Sequence, residues 1–226
     1  MNRALACLAL AITVSACQPP PTKTESMLRL ENAQKDVQQY VEKANLVLDK
    51  ATDKALPQAL PDLVYAKELQ DNASAVFVKL HIRDLAQPEL AQLTTRLQSY
   101  HAALNDYTQN VIEKLITKTL TLQSKVLEIN SRPLSGSASG SSGMVDFLGD
   151  EFNKDIQDCC LEDLSRIAIL LHDSPIAQER QMSRLLAQIP SQLNKILADP
   201  AYAEELREQV QVLTVDDKLE IPARLD

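Results

Sequence analysis

Residues 89–130 read ELAQLTTRLQSYHAALNDYTQNVIEKLITKTLTLQSKVLEIN, without a proline or a glycine. Apolar side chains recur here at intervals of three and four residues, which predicts one long amphipathic α-helix. They are Leu90, Leu93, Leu97, Tyr100, Leu104, Tyr107 and Val111. At about 1.5 Å per residue the helix would be roughly 63 Å long, which indicates an elongated bundle. A strict heptad would then place Lys114 and Lys118 in the apolar seam. The shift of the apolar face to Leu115 and beyond therefore indicates a stutter or a change of packing partner.

Prolines and glycines mark the ends of the other predicted helices. Both residues disfavour helix interiors, and all four glycines lie between residues 136 and 149. Ser174 followed by Pro175 is typical of an N-cap and a first helical residue. The helices are predicted at residues 27–55, 62–86, 89–130, 144–172, 175–188 and 200–213, with Pro190 kinking or breaking the fifth. The predicted fold class is all-α, with an elongated three-helix bundle over residues 27–130 and a second helical segment over 144–213.

Composition and charge restrict the core and the partners. Apolar residues make up 45% of the 226 residues, but aromatic residues only 4%, so the core must consist of Leu, Ala, Val and Ile. Such a core suits helix-on-helix packing. The net charge of −8 gives no counterion-release energy with nucleic acid, which is therefore not an expected partner.

The first residues have the pattern of an export signal. Arg3 is followed by an apolar run from Ala4 to Val14, which is too short to span a bilayer as a helix. Val14, Ser15, Ala16 and Cys17 then match the four positions of a lipobox, and the run resembles the bacterial lipoprotein signal. The resemblance implies diacylglycerol on the Cys17 thiol and cleavage after Ala16. The alternative is an ordinary signal peptide, cleaved at the same bond, that leaves a free cysteine.

The resemblance also implies a location. In lipoproteins of this type an Asp after the lipidated cysteine favours retention in the inner membrane, and this chain has Gln18 there. The expected location is the periplasmic face of the bacterial outer membrane, with the inner membrane second. Membrane lipid is then a partner through acylated Cys17, because two or three acyl chains anchor a protein stably.

Composition shifts divide the chain into five predicted parts. Residues 1–16 are the signal peptide, and residues 17–26 are a proline-rich tether of roughly 28 Å. Residues 27–131 form the helical bundle. Residues 132–143 are rich in Ser and Gly, which is typical of a flexible linker. Residues 144–226 form the C-terminal helical region, where 218–221 have an alternating pattern that suits a short extended piece.

Cys159 and Cys160 would be the only thiols besides the lipidated one in the mature chain. Neighbouring residues of an α-helix point about 100° apart, so a disulfide between them would have to break the helix. Three interpretations follow: two buried thiols in the core, a vicinal disulfide or redox pair in an oxidising compartment, and intermolecular bonding or metal capture.

Acidic residues recur around these cysteines at Asp150, Glu151, Asp155, Asp158 and Glu162. This spacing is typical of a solvated helix face. The alternatives are a docking face for a basic partner, and carboxylates that do acid–base chemistry or bind a cation.

No catalytic, phosphate-binding or metal-binding motif is present in the sequence. His81, His101 and His172 do not pair at helical spacing, so no metal, cofactor or enzymatic activity is predicted. We expect a non-enzymatic protein-binding or assembly factor of the bacterial envelope, with a protein partner and an open oligomeric state. The alternatives are an immunity or exclusion lipoprotein against a toxin, and a structural coiled-coil spacer.

Overall fold

The computed structural model describes residues 24–80, 88–131 and 149–215, and these are helical apart from short connections. The all-α class predicted from the sequence is confirmed. The leader with Ala16 and Cys17, His81, the Ser/Gly linker 132–143 and the alternating piece 218–221 lie outside the described residues.

The described chain forms helices in the following order. They are α1 (Glu25–Thr52), α2 (Leu56–Leu80), α3 (Pro88–Gln98), α4 (His101–Ser131), α5 (149–171), α6 (Ala177–Ala198) and α7 (Pro200–Val215). Within α5, Gln157–Leu161 form a π-helical turn that leads directly into the α-helical residues Glu162–Leu171. Pro88 and Pro200 each stand first in a helix, where a missing N–H costs nothing.

The helices α1 and α2 form an antiparallel hairpin, onto which α3 packs. The buried face of α1 follows the predicted spacing of three and four residues. Its members are Ala33, Val37, Val41, Ala44, Leu48 and Ala51. Arg96 fixes α3 to this hairpin, because its guanidinium donates to Asn45 Oδ1 at 2.6 Å and to Asp49 Oδ1 at 2.7 Å.

The prediction of one continuous helix over residues 89–130 is wrong, because the helix is interrupted at Ser99 and Tyr100. The Tyr100 N–H donates to Leu97 O at 3.2 Å, which tightens the backbone into a turn before α4 begins. The two parts have different partners: α3 packs on α1 and α2, whereas α4 packs on α5, α6 and α7. Of the predicted third helix, only about the first quarter, α3, therefore packs in a bundle with α1 and α2. The packing partner changes at Ser99 and Tyr100, before Lys114.

Two prolines lie inside helices where the sequence predicted boundaries. Pro61 lies within α2, which begins at Leu56 rather than at residue 62, and Pro190 lies within α6. A proline inside a helix costs roughly 3 kcal/mol. Ile189 and Ile196 on either side of Pro190 are fully buried, so packing offsets that cost. Likewise α6 begins at Ala177, two residues later than the Pro175 start predicted from sequence.

Buried apolar side chains from the whole described chain form one connected cluster, which runs from Val37 in α1 to Val210 in α7. The helix α2 packs against α5, and this contact joins the hairpin to the C-terminal helices. The helices before and after residues 132–148 therefore share one core.

Candidate functional site

Cys159 and Cys160 form a disulfide within the π-helical turn Gln157–Leu161. Their Cα atoms are 3.8 Å apart. The residues that flank the turn, Ile156 and Glu162, have ordinary α-helical dihedral angles. Of the three interpretations of the cysteine pair, the structure corresponds to the vicinal disulfide. The prediction that such a bond would break the helix is wrong, because the helix continues through the disulfide and departs from α-geometry only at the five residues of the π turn.

The π turn also decides which cysteine lies in the core. Cys160 is fully buried, whereas Cys159 is half-buried at the edge of the core. The buried residues Phe152, Ile156, Cys160 and Leu164 recur every four residues. In a regular α-helix each step of four advances about 40° beyond a full turn, whereas a π turn holds more residues per turn and keeps them on one face.

The five predicted acidic residues are all exposed along the first part of α5 and its π turn. Asp155 forms an ion pair with Lys118 of α4, and Glu162 forms one with Arg166 one turn later. The carboxylates thus lie along a solvated helix face.

An open groove lies between α4 and the first part of α5, and we call it the α4–α5 groove. Its volume is about 660 Å³. Apolar Leu122 and Phe152 line its floor, with charged and polar side chains around them. The lining residues are Thr117, Lys118, Thr121, Leu122, Lys125, Glu151, Phe152, Lys154, Asp155 and Asp158. Three lysines and three carboxylates share this groove, so its charge is balanced rather than acidic.

A buried polar network joins the start of α4 to the start of α6, and we call it the Glu179 network. The Glu179 carboxylate is 2% exposed and accepts a hydrogen bond from His101 Nδ1 at 2.6 Å. Ser174 Oγ donates to the same carboxylate oxygen and accepts from the Ile176 N–H at 3.1 Å. Burial raises the pKa of Glu179, but hydrogen bonds from His101, Ser174 and Asn105 outweigh it, so the pKa lies below its ordinary value.

The order of groups in the Glu179 network does not activate a nucleophile. In a hydrolytic triad the imidazole lies between the hydroxyl and the carboxylate and takes the hydroxyl proton. Here the carboxylate lies in the middle, and Ser174 donates to it directly. The sequence did not single out Glu179, although a signal was present: Glu179, Met182, Leu186 and Ile189 lie at spacings of three and four residues on the buried face of α6.

Two further buried polar groups hold helices together. Lys67 of α2 is buried and donates to Asp71 and, at 3.2 Å, to Asp173 beyond α5. Hydrogen bonds from His172 and Lys67 lower the pKa of Asp173 below its ordinary value. Tyr107 of α4 donates to an Asp163 carboxylate oxygen of α5 at 2.6 Å. Burial and this hydrogen bond raise the pKa of Tyr107 above its ordinary value.

A small cavity of about 60 Å³ lies among α2, α3, the start of α4 and the end of α5. Lys67, His101 and Ser174 contribute to its wall, together with Leu63 and Leu170. Each of its charged side chains already has a partner of opposite charge in the protein. The cavity therefore has the volume and the polar groups to hold a few buried water molecules.

Within residues 24–80, 88–131 and 149–215, no cluster of three or more His, Cys, Asp or Glu side chains is arranged to hold a metal ion. In the same residues no helix is both long enough and apolar enough to cross a membrane. No protein-family model, curated protein or solved structure matches the chain.

Proposed function

We propose that this chain is a lipid-anchored lipoprotein of the bacterial outer membrane that faces the periplasm and binds another envelope protein without catalysing a reaction. The location rests on the lipobox from Val14 to Cys17. The helix α1 begins at Glu25, so a tether of at most about 25 Å would separate the anchor from the folded helices.

The observation that carries the binding role is the α4–α5 groove. It is concave, its apolar floor is flanked by both signs of charge, and at about 660 Å³ it is larger than the cavity lined by Lys67 and His101. Apolar floors with polar rims are typical of protein-binding surfaces. Carboxylates and lysines alternate around it, which suits a partner with complementary charges of both signs rather than a purely basic toxin.

The Glu179 network supports a role without catalysis, because its serine is buried and donates to a carboxylate whose lowered pKa makes it a weak base. The helix lengths give the spacer alternative less support. A continuous helix over residues 89–130 would span roughly 63 Å, whereas α4, the longest described helix, has 31 residues and would span about 46 Å.

The anchor is tested by replacing Cys17 with Ser and following the protein in cell fractions labelled with radioactive fatty acid. We expect the unsubstituted chain to carry label and to sediment with outer membranes. The C17S chain should carry no label and should leave the membrane fraction. An unlabelled, soluble unsubstituted chain would refute the anchor.

The binding role is tested with a photoreactive amino acid placed in intact cells at Thr121, which is exposed in the α4–α5 groove. The matched control places it at Gln38, which is exposed on α1. We expect one heterologous adduct from position 121 and none from 38. Adducts only between copies of this chain would indicate a structural oligomer, and no adduct at position 121 would refute a partner at the groove.

A further inference from the structure

The vicinal pair Cys159–Cys160 differs in exposure across a single peptide bond. Cys160 has no exposed surface and belongs to the core, whereas Cys159 is half-buried at its edge. Thiol–disulfide exchange requires a thiolate to approach one sulfur along the bond. Of the two residues, Cys159 is therefore the one that an external thiolate can approach from solvent.

The π turn that holds the pair has support besides the disulfide. Phe152, Ile156, Cys160 and Leu164 are all buried at intervals of four residues, and the π turn is what keeps that series on one face of α5. Apolar packing therefore holds the two sulfurs side by side whether or not they are bonded. A buried free thiol packs as a small apolar group, so the core also accommodates reduced Cys160.

We propose that Cys159 and Cys160 form a reversible dithiol–disulfide site, in which Cys159 exchanges with an external protein dithiol or disulfide and Cys160 is the resolving sulfur. In reduction, a thiolate of the external dithiol attacks Sγ of Cys159. The intramolecular bond breaks, and its electron pair leaves on Sγ of Cys160, which takes up a proton. The external reductant is then bound to Cys159 as a mixed disulfide.

The second thiolate of the same external dithiol attacks its own bonded sulfur and releases Cys159, which takes up the second proton. The pair gains two electrons and two protons, and the external dithiol becomes a disulfide. Oxidation follows the reverse course, with Cys160 displacing the external thiol from Cys159. Because Cys160 leaves into an apolar environment that disfavours its thiolate, exchange should be slower than at an exposed disulfide.

The test uses the full chain with Cys7→Ser and Cys17→Ser, so that Cys159 and Cys160 are the only cysteines and the result does not depend on lipidation. We expect intact mass to show an intramolecular disulfide after air oxidation. Dithiothreitol should then add two hydrogens, with an unchanged helical circular dichroism spectrum, and oxidised dithiothreitol should remove them. Two thiols that never bond within one chain, or a reduction that occurs only with loss of helix, would overturn the proposal.

Two single variants in the same background test the assigned roles. Cys160→Ser should leave the half-buried Cys159 thiol, which should react with a bulky maleimide and link chains into disulfide dimers. Cys159→Ser should leave the buried Cys160 thiol, which should react at least about tenfold more slowly. Equal rates in two folded variants, or a faster Cys160, would refute Cys159 as the entry sulfur. If a variant fails to fold, the same ratio is measured on the unsubstituted pair. The reduced protein is partly alkylated, and fragment ions of the peptide that contains both cysteines show which one carries the label.

Discussion

Replacing Glu179 with Ala should destabilise the protein more than any exposed substitution on the same helices. The carboxylate is 2% exposed and accepts from both His101 and Ser174. Its removal leaves an imidazole and a hydroxyl without their acceptor in the core. A buried group that loses its hydrogen-bond partner costs about 1–3 kcal/mol. Two groups lose theirs here, and the His101 side chain is 12% exposed, so the expected cost is about 3 kcal/mol. For a chain of this length the unfolding midpoint should fall by roughly 6–12 °C.

The assay is thermal unfolding followed by far-UV circular dichroism, with Glu68→Ala as the control because Glu68 is exposed on α2. The control should change the midpoint by no more than about 2 °C. Glu179→Gln should fall between the two, since an amide oxygen still accepts a hydrogen bond but carries no charge. A midpoint for Glu179→Ala within error of Glu68→Ala would refute the reasoning that this network stabilises the α4–α6 junction.

The same carboxylate makes stability depend on pH in a defined direction. The pKa of Glu179 is lower in the folded protein than its ordinary value of 4.5. The folded state therefore favours the ionised form, and the stabilisation is fully present above about pH 4.5 and is lost as pH falls through the folded pKa. The difference in midpoint between the unsubstituted protein and Glu179→Gln should be constant near neutral pH and should shrink below pH 4.5. A difference that grows on acidification would contradict the sign.

Other substitutions test the packing of the helices, each by the same unfolding assay. Pro190→Ala restores a donor in the middle of α6 and should stabilise the protein by about 1–3 kcal/mol, whereas Pro57→Ala near the start of α2 should change stability by less than about 0.5 kcal/mol. Leu164→Ala leaves a cavity beside the π turn and should cost about 3 kcal/mol. Lys67→Met should cost no more than about 1 kcal/mol, because both of its aspartate partners are more than half exposed and can be hydrated. A large loss for Lys67→Met would show that the ion pair itself stabilises the hairpin.

Apolar periodicity was sufficient to predict that these segments are helices, and it nearly fixed their buried faces. On α1 the apolar stripe at spacings of three and four residues passes through Tyr40 and Val47, with Val41 and Leu48 beside it. The structure buries Val41 and Leu48 and leaves Tyr40 and Val47 half-buried. The buried face of α1 is thus rotated by about one residue from the centre of the stripe. Spacing alone indicates which face of a helix is apolar, but the centre of the buried face depends on how α2 and α3 pack against α1.

Helix ends were less predictable, because they depend on tertiary contacts. Proline suggested breaks at Pro61 and Pro190 that packing overrides, and nothing in the local sequence marked the break at Ser99 and Tyr100. That break lies where the chain leaves the hairpin for α5, α6 and α7. A sequence contains the apolar residues of both halves, but not the point at which the chain exchanges one partner surface for the other.

The cysteine pair shows how one residue of helical register changes a chemical prediction. In a regular α-helix, Cys159 and Cys160 would lie on either side of the mean direction of Phe152 and Ile156, about 40° and 60° from it, and would be similarly close to the core. The smaller rotation per residue of the π turn brings Cys160 into the buried series that continues to Leu164 and turns Cys159 to the edge of the core. The π turn therefore predicts a faster-reacting Cys159, whereas a regular helix predicts similar rates for the two thiols. Measuring which cysteine is alkylated first thus tests the backbone of α5 as well as the exchange chemistry, and equal rates in the folded protein would indicate a regular helix at this position.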